Sequence, residues 1–159
     1  MSELANLNAQ VVVDRLRAWN SGAVSQVVEH RGETTLVVPH KLLRDMARQC
    51  KDDPELNFSQ LSDATCVDRF PAEPRFELNY QLLSMSKSLR IRLRTTISGQ
   101  QPVVDSLEPV WPGANWMERE LFDLFGVRFE GNSDLRRILL PDGFEGAPLR
   151  RDYPTEGPR

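Results

Sequence analysis

The sequence predicts a single α+β domain: an antiparallel or mixed sheet with helices packed on one face, followed by an extended C-terminal tail. Three observations lead there. Apolar residues recur at helical spacing in three separated stretches, and the valine-rich or alternating segments between them come in pairs joined by short turns. Paired segments of that kind favour hairpins over a doubly wound parallel sheet. The third observation is that residues 131–159 carry Pro141, Pro148, Pro154 and Pro158, which suit extended chain rather than helix. Residues 1–130 are therefore expected to form the domain and 131–159 a tail that packs on a partner.

The elements follow in order. From Asn8 to Trp19, Val12, Leu16 and Trp19 share one helical face with Ala9 beside them, while Asp14, Arg15 and Arg17 fall elsewhere. Asn20, Ser21 and Gly22 end this helix. Ala23–Glu29 then reads as a strand, His30–Glu33 as a turn and Thr34–Val38 as the returning strand. Pro39 suits the first turn of a second helix whose buried face is Leu42, Leu43, Met46, Ala47 and Cys50, with the basic residues pointing away; Asp52, Asp53 and Pro54 stop it. Polar residues interrupt every periodicity between Leu56 and Pro71, and only Ala64–Arg69 reads as a strand. Arg75–Met85 and Leu89–Ile97, joined by Ser86, Lys87 and Ser88, form an antiparallel pair. In the second of these, Leu89, Ile91 and Leu93 alternate with Arg90, Arg92 and Arg94. Three like charges along a strand repel, so that row is either a solvated face or a surface for an acidic partner. Gly99–Pro102 is a turn, and Val103–Pro109 leads to the last helix.

The stretch from Val110 to Pro154 is the densest in the chain. Pro112 and Gly113 break what precedes, Asn115 is placed to cap, and Glu118 three residues on is placed to reach back in a capping box, starting a helix near Trp116. Met117, Leu121, Leu124 and Phe125 form its stripe, and Gly126 is a natural left-handed stop. Trp111, Trp116, Phe122 and Phe125 are expected in the core. Glu118 and Glu120 sit where the helix dipole favours carboxylates, whereas Asp123 in the last turn needs a cation, with Arg119, Arg128, Arg136 and Arg137 as candidates. Two arginine pairs follow, Arg136 with Arg137 and Arg150 with Arg151, the second beside Asp152. Flanked by apolar residues and proline, they read as placed forks for carboxylates rather than a diffuse basic patch. Consecutive residues point in different directions. One arginine of each pair is therefore expected to tie back to Glu118, Glu120 or Asp123, and the other to face outward.

Composition narrows the function. A 159-residue chain that is 40% hydrophobic suits one compact domain, and its net charge of −3 argues against a nucleic-acid binder. No stretch approaches the roughly 18 apolar residues of a membrane span, and the start MSELANLNAQ resembles neither a secretory signal nor a transit peptide. The chain is expected to be cytosolic and to meet a membrane only through partners. Cys50 and Cys66 belong to no CxxC or Cys/His pattern and are expected to be reduced, buried thiols; His30 and His40 complete no metal set. A phosphate loop and a nucleophile elbow are both missing. Glu118 and Glu120, two apart on a helix, do not face each other as an acid–base pair would.

The runs ANWMERELFDLFGVRFEG and DLRRILLPDGFEGAPLRRDYP resemble the signature of the C subunit family of respiratory complex I, the NADH:quinone oxidoreductase. Weaker features of that family lie upstream in LSDATCVDRFP and NYQLLSMSKSLRIRLR, so the resemblance runs from Leu61 to Pro154. Asn132 and Ser133 stand where typical members carry His-Pro, and Ala147 where a His is common. The resemblance implies a subunit with no catalytic residues, cofactor or metal of its own, in the peripheral arm on the cytoplasmic side of the bacterial inner membrane. Its main partner is the large D subunit, which helps form the quinone site, with cluster-bearing subunits nearby. FMN, iron–sulfur clusters and quinone then belong to the assembled complex. Glu118, Arg119, Glu120, Asp123, Arg136, Arg137, Arg150, Arg151 and Asp152 are the residues expected to make its ion pairs or interface. The equivalent subunit of a related membrane-bound dehydrogenase or hydrogenase stays open, as does a free-standing soluble enzyme or adaptor.

Overall fold

A computed structural model describes residues 2–156, with side chains described from residue 9. Its elements are helix α1 (Ser2–Trp19), strands β1 (Gln26–His30) and β2 (Glu33–Val37), a 3-10 turn (His40–Leu42) leading into α2 (Leu43–Asp52), strands β3 (Gln60–Asp68), β4 (Phe76–Ser84), β5 (Leu89–Ile97) and β6 (Val103–Asp105), helix α3 (Ala114–Phe125) and strand β7 (Arg128–Glu130). Five strands form one sheet in the order β1-β2-β5-β4-β3. Every pairing in it is antiparallel except β2 with β5, where Thr35, Leu36 and Val37 run alongside Arg92, Leu93 and Arg94. The sheet is therefore mixed.

Alternation sorts the sheet into an apolar and a polar face. Leu36, Phe76, Leu78, Tyr80, Leu82, Ile91, Leu93 and Ile97 join Val12, Val13 and Leu16 of α1, Met46, Ala47 and Cys50 of α2, and Ala114 and Leu121 of α3 in one core. On the polar face, the arginine row of β5 is interleaved with acceptors from both neighbours. Arg92 donates to Glu33 at 2.6 Å, and Arg94 to Asn79 at 3.3 Å. These acceptors relieve the like-charge repulsion that the sequence implies; Arg90 alone of the three has no acceptor among the described residues.

Several local expectations are corrected. Helix α1 starts well before Asn8, and Val13 takes the core place assigned to Trp19, which is 39% exposed. Three residues of helix rotate about 60° short of a full turn, so Trp19 sits at the edge of the stripe centred near Leu16. Strand β3 begins at Gln60 rather than Ala64, and a bulge between Leu61 and Asp63 explains why its pattern is hard to see. One extra residue there sets the inward side chains Leu61 and Ala64 three apart instead of two. Short strands β6 and β7 pair in parallel and bracket α3; segments of three residues leave no periodicity to read. The basic residues of α2 do not all point away: Arg44 donates to the carbonyls of Ser106 (3.1 Å) and Glu130 (2.5 Å), and Lys51 to that of Val110 (2.5 Å). They hold the β6–β7 region against the sheet domain. Past β7 the chain runs through turns to residue 156 without helix or strand.

Candidate docking surface

Helix α3 lies between the core and the tail, so it buries two sides. Ala114, Glu118 and Leu121 turn to the core, while Arg119 and Asp123, four residues apart, meet the tail. Met117, Leu124, Phe122 and Phe125, expected as core, are only half-buried, and Trp116 is 61% exposed. Trp111 is the tryptophan that enters the core, its indole N–H donating to the Phe58 carbonyl at 3.1 Å.

Glu118 makes no capping box. The helix is capped at Gly113 without a side-chain bond, and the Asn115 amide donates to Asn132 Oδ1 at 3.3 Å instead. Fully buried, Glu118 accepts from Ser106 Oγ (2.6 Å), the Leu107 N–H (2.6 Å) and Asn132 Nδ2 (2.8 Å). Three donors outbid the single N–H that a capping box offers. No guanidinium is among its partners. Burial pushes its carboxyl above the ordinary range despite those donors. Asn132 and Ser133 form a turn of their own here, since the Ser133 N–H and Oγ bind Glu108 at 2.7 and 2.6 Å.

Asp123, 1% exposed, is the main grip on the tail. Oδ1 accepts from Arg137 at 2.6 Å, and Oδ2 from the N–H groups of Ile138, Leu139 and Leu140 at 3.1, 2.8 and 2.8 Å. Burial pulls its pKa up, but the donors of Leu140, Leu139, Arg137 and Ile138 outweigh that and hold it below the usual carboxylate range. Of the four candidate cations, then, Arg137 is the partner. Arg119 serves differently: it donates to the carbonyls of Arg136 and Arg137 at 3.1 Å each and lies 5.0 Å over the Trp116 ring.

The second arginine pair departs from expectation, because neither member reaches Glu118, Glu120 or Asp123. Arg150 Nε donates to the Phe125 carbonyl at 2.6 Å and the Leu149 N–H to that of Leu124 at 3.0 Å, so the tail satisfies the exposed end of α3. Gly126 is needed there twice. It takes φ +72°, and a Cβ on it would stand 2.7 Å from Arg150 Nη2.

Asp152 is tied by a residue that the sequence left unremarked. Arg75, 8% exposed, forks onto Asp68 at 2.8 and 2.7 Å and onto Asp152 at 2.9 and 2.6 Å, between the rings of Phe70 and Phe76 at 4.9 and 5.0 Å. Asp68 also accepts the Arg151 N–H at 2.8 Å. Held by Arg75 first, its carboxyl lies far below the usual range. A buried arginine before a strand and an aspartate in a poorly patterned one gave little to connect them.

What faces outward is Trp116, Glu120, Arg136 (side chain 72% exposed), Leu139, Leu149 and Arg151. Among the described residues no group of three or more His, Cys, Asp and Glu is arranged to hold a metal ion. Cys50 is buried, but Cys66 is only half-buried, a correction to the sequence expectation; burial pushes the Cys66 thiol up to about 12 and that of Cys50 higher still.

Residues 36–159 match the family described as "Respiratory-chain NADH dehydrogenase, 30 Kd subunit". The chain is 43% identical over 148 residues to the NADH-quinone oxidoreductase C subunit of Roseiflexus sp. (strain RS-1), covering 93% of this chain and 85% of that protein. It is 35% identical over 158 residues to the protein of the same name from Geotalea uraniireducens, covering 99% and 94%. Among solved structures it is similar to a trypsin-resistant fragment of Nqo5 (TM-score 0.67, 25% identity, 80% of this chain and 99% of that one). It is also similar to a chain of the membrane-bound sulfane sulfur reductase, an archaeal respiratory membrane complex (TM-score 0.77, 26% identity, 92% and 85%).

Replacing Arg75 with alanine leaves Asp68 buried without its cation and is expected to cost about 3–5 kcal/mol in urea unfolding. The carboxylates of the site should give opposite pH dependences. Asp68, Asp123 and Asp152 have lowered pKa values, so their stabilisation is present above the ordinary carboxylate pKa and lost as pH falls through the folded values. Glu118 has a raised one, so its contribution is complete below the ordinary pKa and lost as pH rises through the folded value. Glu118→Gln removes only the second dependence. Its stability relative to the parent should therefore climb as pH rises above the ordinary glutamate pKa, and a flat difference would refute the raised pKa.

Proposed function

The chain belongs to the respiratory-chain NADH dehydrogenase 30 kDa subunit family, and we propose that it is a non-catalytic docking subunit in the peripheral arm of a proton-translocating NADH:quinone oxidoreductase, laid against the large D subunit at the quinone site. One observation carries this. The described tail is clamped to α3 and the sheet by Asp123, Arg119 and Arg75, and the same arrangement turns Trp116, Leu139, Leu149, Arg136 and Arg151 outward. Tryptophan and arginine dominate binding energy at protein interfaces, and exposed apolar groups beside them favour a covered surface over a solvated one.

Electron transfer in the assembly runs from NADH through FMN and iron–sulfur clusters to quinone, and this chain contributes position. Its two thiols are poor candidates for cluster ligands because burial keeps them protonated. No described helix is long and apolar enough to cross a membrane. Attachment on the cytoplasmic face, through the quinone-site subunit and its cluster-bearing neighbours, fits that arrangement. The likeness to a chain of the archaeal sulfane sulfur reductase favours one second reading, the equivalent subunit of a related membrane complex. The cofactors that co-purify separate the two, since the first requires FMN and NADH oxidation.

Purification from detergent-solubilised membranes tests the proposal. The parent chain is expected to co-purify with the large quinone-site subunit. The Arg136→Glu, Arg151→Glu double variant is expected to change monomer stability by no more than about 0.5 kcal/mol and to weaken retention in the complex at least roughly tenfold. Recovery of the parent only as a free monomer, or equal retention of the double variant, would defeat it.

A further inference from the structure

We propose that the cleft between Arg137 and Arg150, at the C-terminal end of α3, is a socket for one aspartate or glutamate side chain of a partner subunit; this rests on the docking reading above. The cleft has a volume of about 270 Å³ and is lined by Phe122, Gly126, Arg137, Gly146, Ala147 and Arg150. Its two guanidinium groups differ. Arg137 is neutralised by Asp123 and also donates to the Phe144 carbonyl at 2.8 Å. Arg150 uses Nε on the Phe125 carbonyl and packs 5.3 Å from the Phe76 ring, but its Nη groups donate to no acceptor among the described residues.

The carboxylates of this region that could serve Arg150 are spent. Asp68 and Asp152 are both held by Arg75, and Asp123 has four donors of its own. What remains is the partial negative charge of the helix end, about half a unit, and the longer-range field of Asp152, so the Nη groups keep open donor sites in a half-buried place. A planar fork with both Nη edges open matches a carboxylate.

The walls decide between a free anion and a side chain. Phe122 and Ala147 offer apolar surface and Gly126 and Gly146 offer almost none, so a small free anion would find a single charge and little else. An acidic side chain brings methylene groups for those walls. The next positions along the tail from Arg150, Leu149 and Arg151, are both exposed, so the socket is continuous with the proposed docking face.

The test uses the whole assembled complex. In an Arg150→Lys variant, a carbodiimide couples the new amine to any carboxylate in contact with it, and mass spectrometry locates the amide. The expected result is an adduct between position 150 and an acidic residue of another subunit. Adducts confined to this chain, adducts to a second copy of it, or none at all overturn the socket. Ala147→Phe narrows the cleft and keeps the Arg150 charge. It should weaken retention of the folded chain roughly tenfold to a hundredfold, with folding checked by the melting temperature of the isolated chain, and unaltered retention also overturns it. Should the parent chain not assemble, the docking reading itself fails; should it assemble while position 150 couples to no partner, only the socket does.

Discussion

A buried carboxylate at the wrong end of a helix is what the rest of this structure depends on. Asp123 lies in the last turn of α3, where the dipole disfavours a negative charge, and it is almost fully removed from water. Both conditions disfavour its charge, burial by far the more. It stays because one guanidinium and three consecutive backbone N–H groups converge on it, and all four belong to the segment Arg137–Leu140. The charge and the tail therefore need each other: without the tail Asp123 would be an unpaired buried ion, and without Asp123 three N–H groups would be left over. Arg119, one turn earlier, completes the match by donating to the carbonyls just before them.

The second anchor works by geometry rather than by number of donors. Arg75 is a rigid fork between two aromatic rings, and each of its two edges receives one carboxylate, Asp68 from the sheet and Asp152 from the tail. A lysine could not bridge them in this way. Glu118 shows the opposite solution to burial. It has neutral donors only, so its proton is held more tightly rather than released. Four acids thus have their charge settled by three means: four donors for Asp123, a shared fork for Asp68 and Asp152, and a more tightly held proton for Glu118.

The fold class and most elements were legible in the sequence because apolar spacing is a local signal. Strand β5 lies where alternation puts it, the Arg31–Gly32 turn of the first hairpin takes positive φ at both residues, and Gly126 stops α3 as its position suggests. Less visible were features decided by distant partners. The bulge in β3 hid a strand, Glu118 left its expected cap for donors that the fold alone assembles, and Trp116 lies on the outer side of a helix whose inner and tail-facing sides are both occupied. In the site, the types of residue were readable and the pairing was not. Arg137 with Asp123 was one candidate among four, and Arg75 with Asp152 links positions 77 residues apart that no local pattern connects.

Burial of acids also decides what the surface looks like. The chain carries 23 acidic and 20 basic residues, so composition alone suggests a mildly acidic exterior. Yet Asp53, Asp68, Glu77, Glu118 and Asp123 are all buried, whereas the side chains of Arg136 and Arg151 point outward beside exposed leucines. The outer side of the tail nevertheless keeps both signs, since Asp134, Asp142, Glu145 and Asp152 are exposed along with Arg136 and Arg151, and Arg136 pairs with Asp134 at 3.0 Å. A surface of mixed sign selects its neighbour by where each charge stands rather than by one overall sign. Net charge is therefore a poor guide to the partner here, and the interior bonds that fix the tail are the reason.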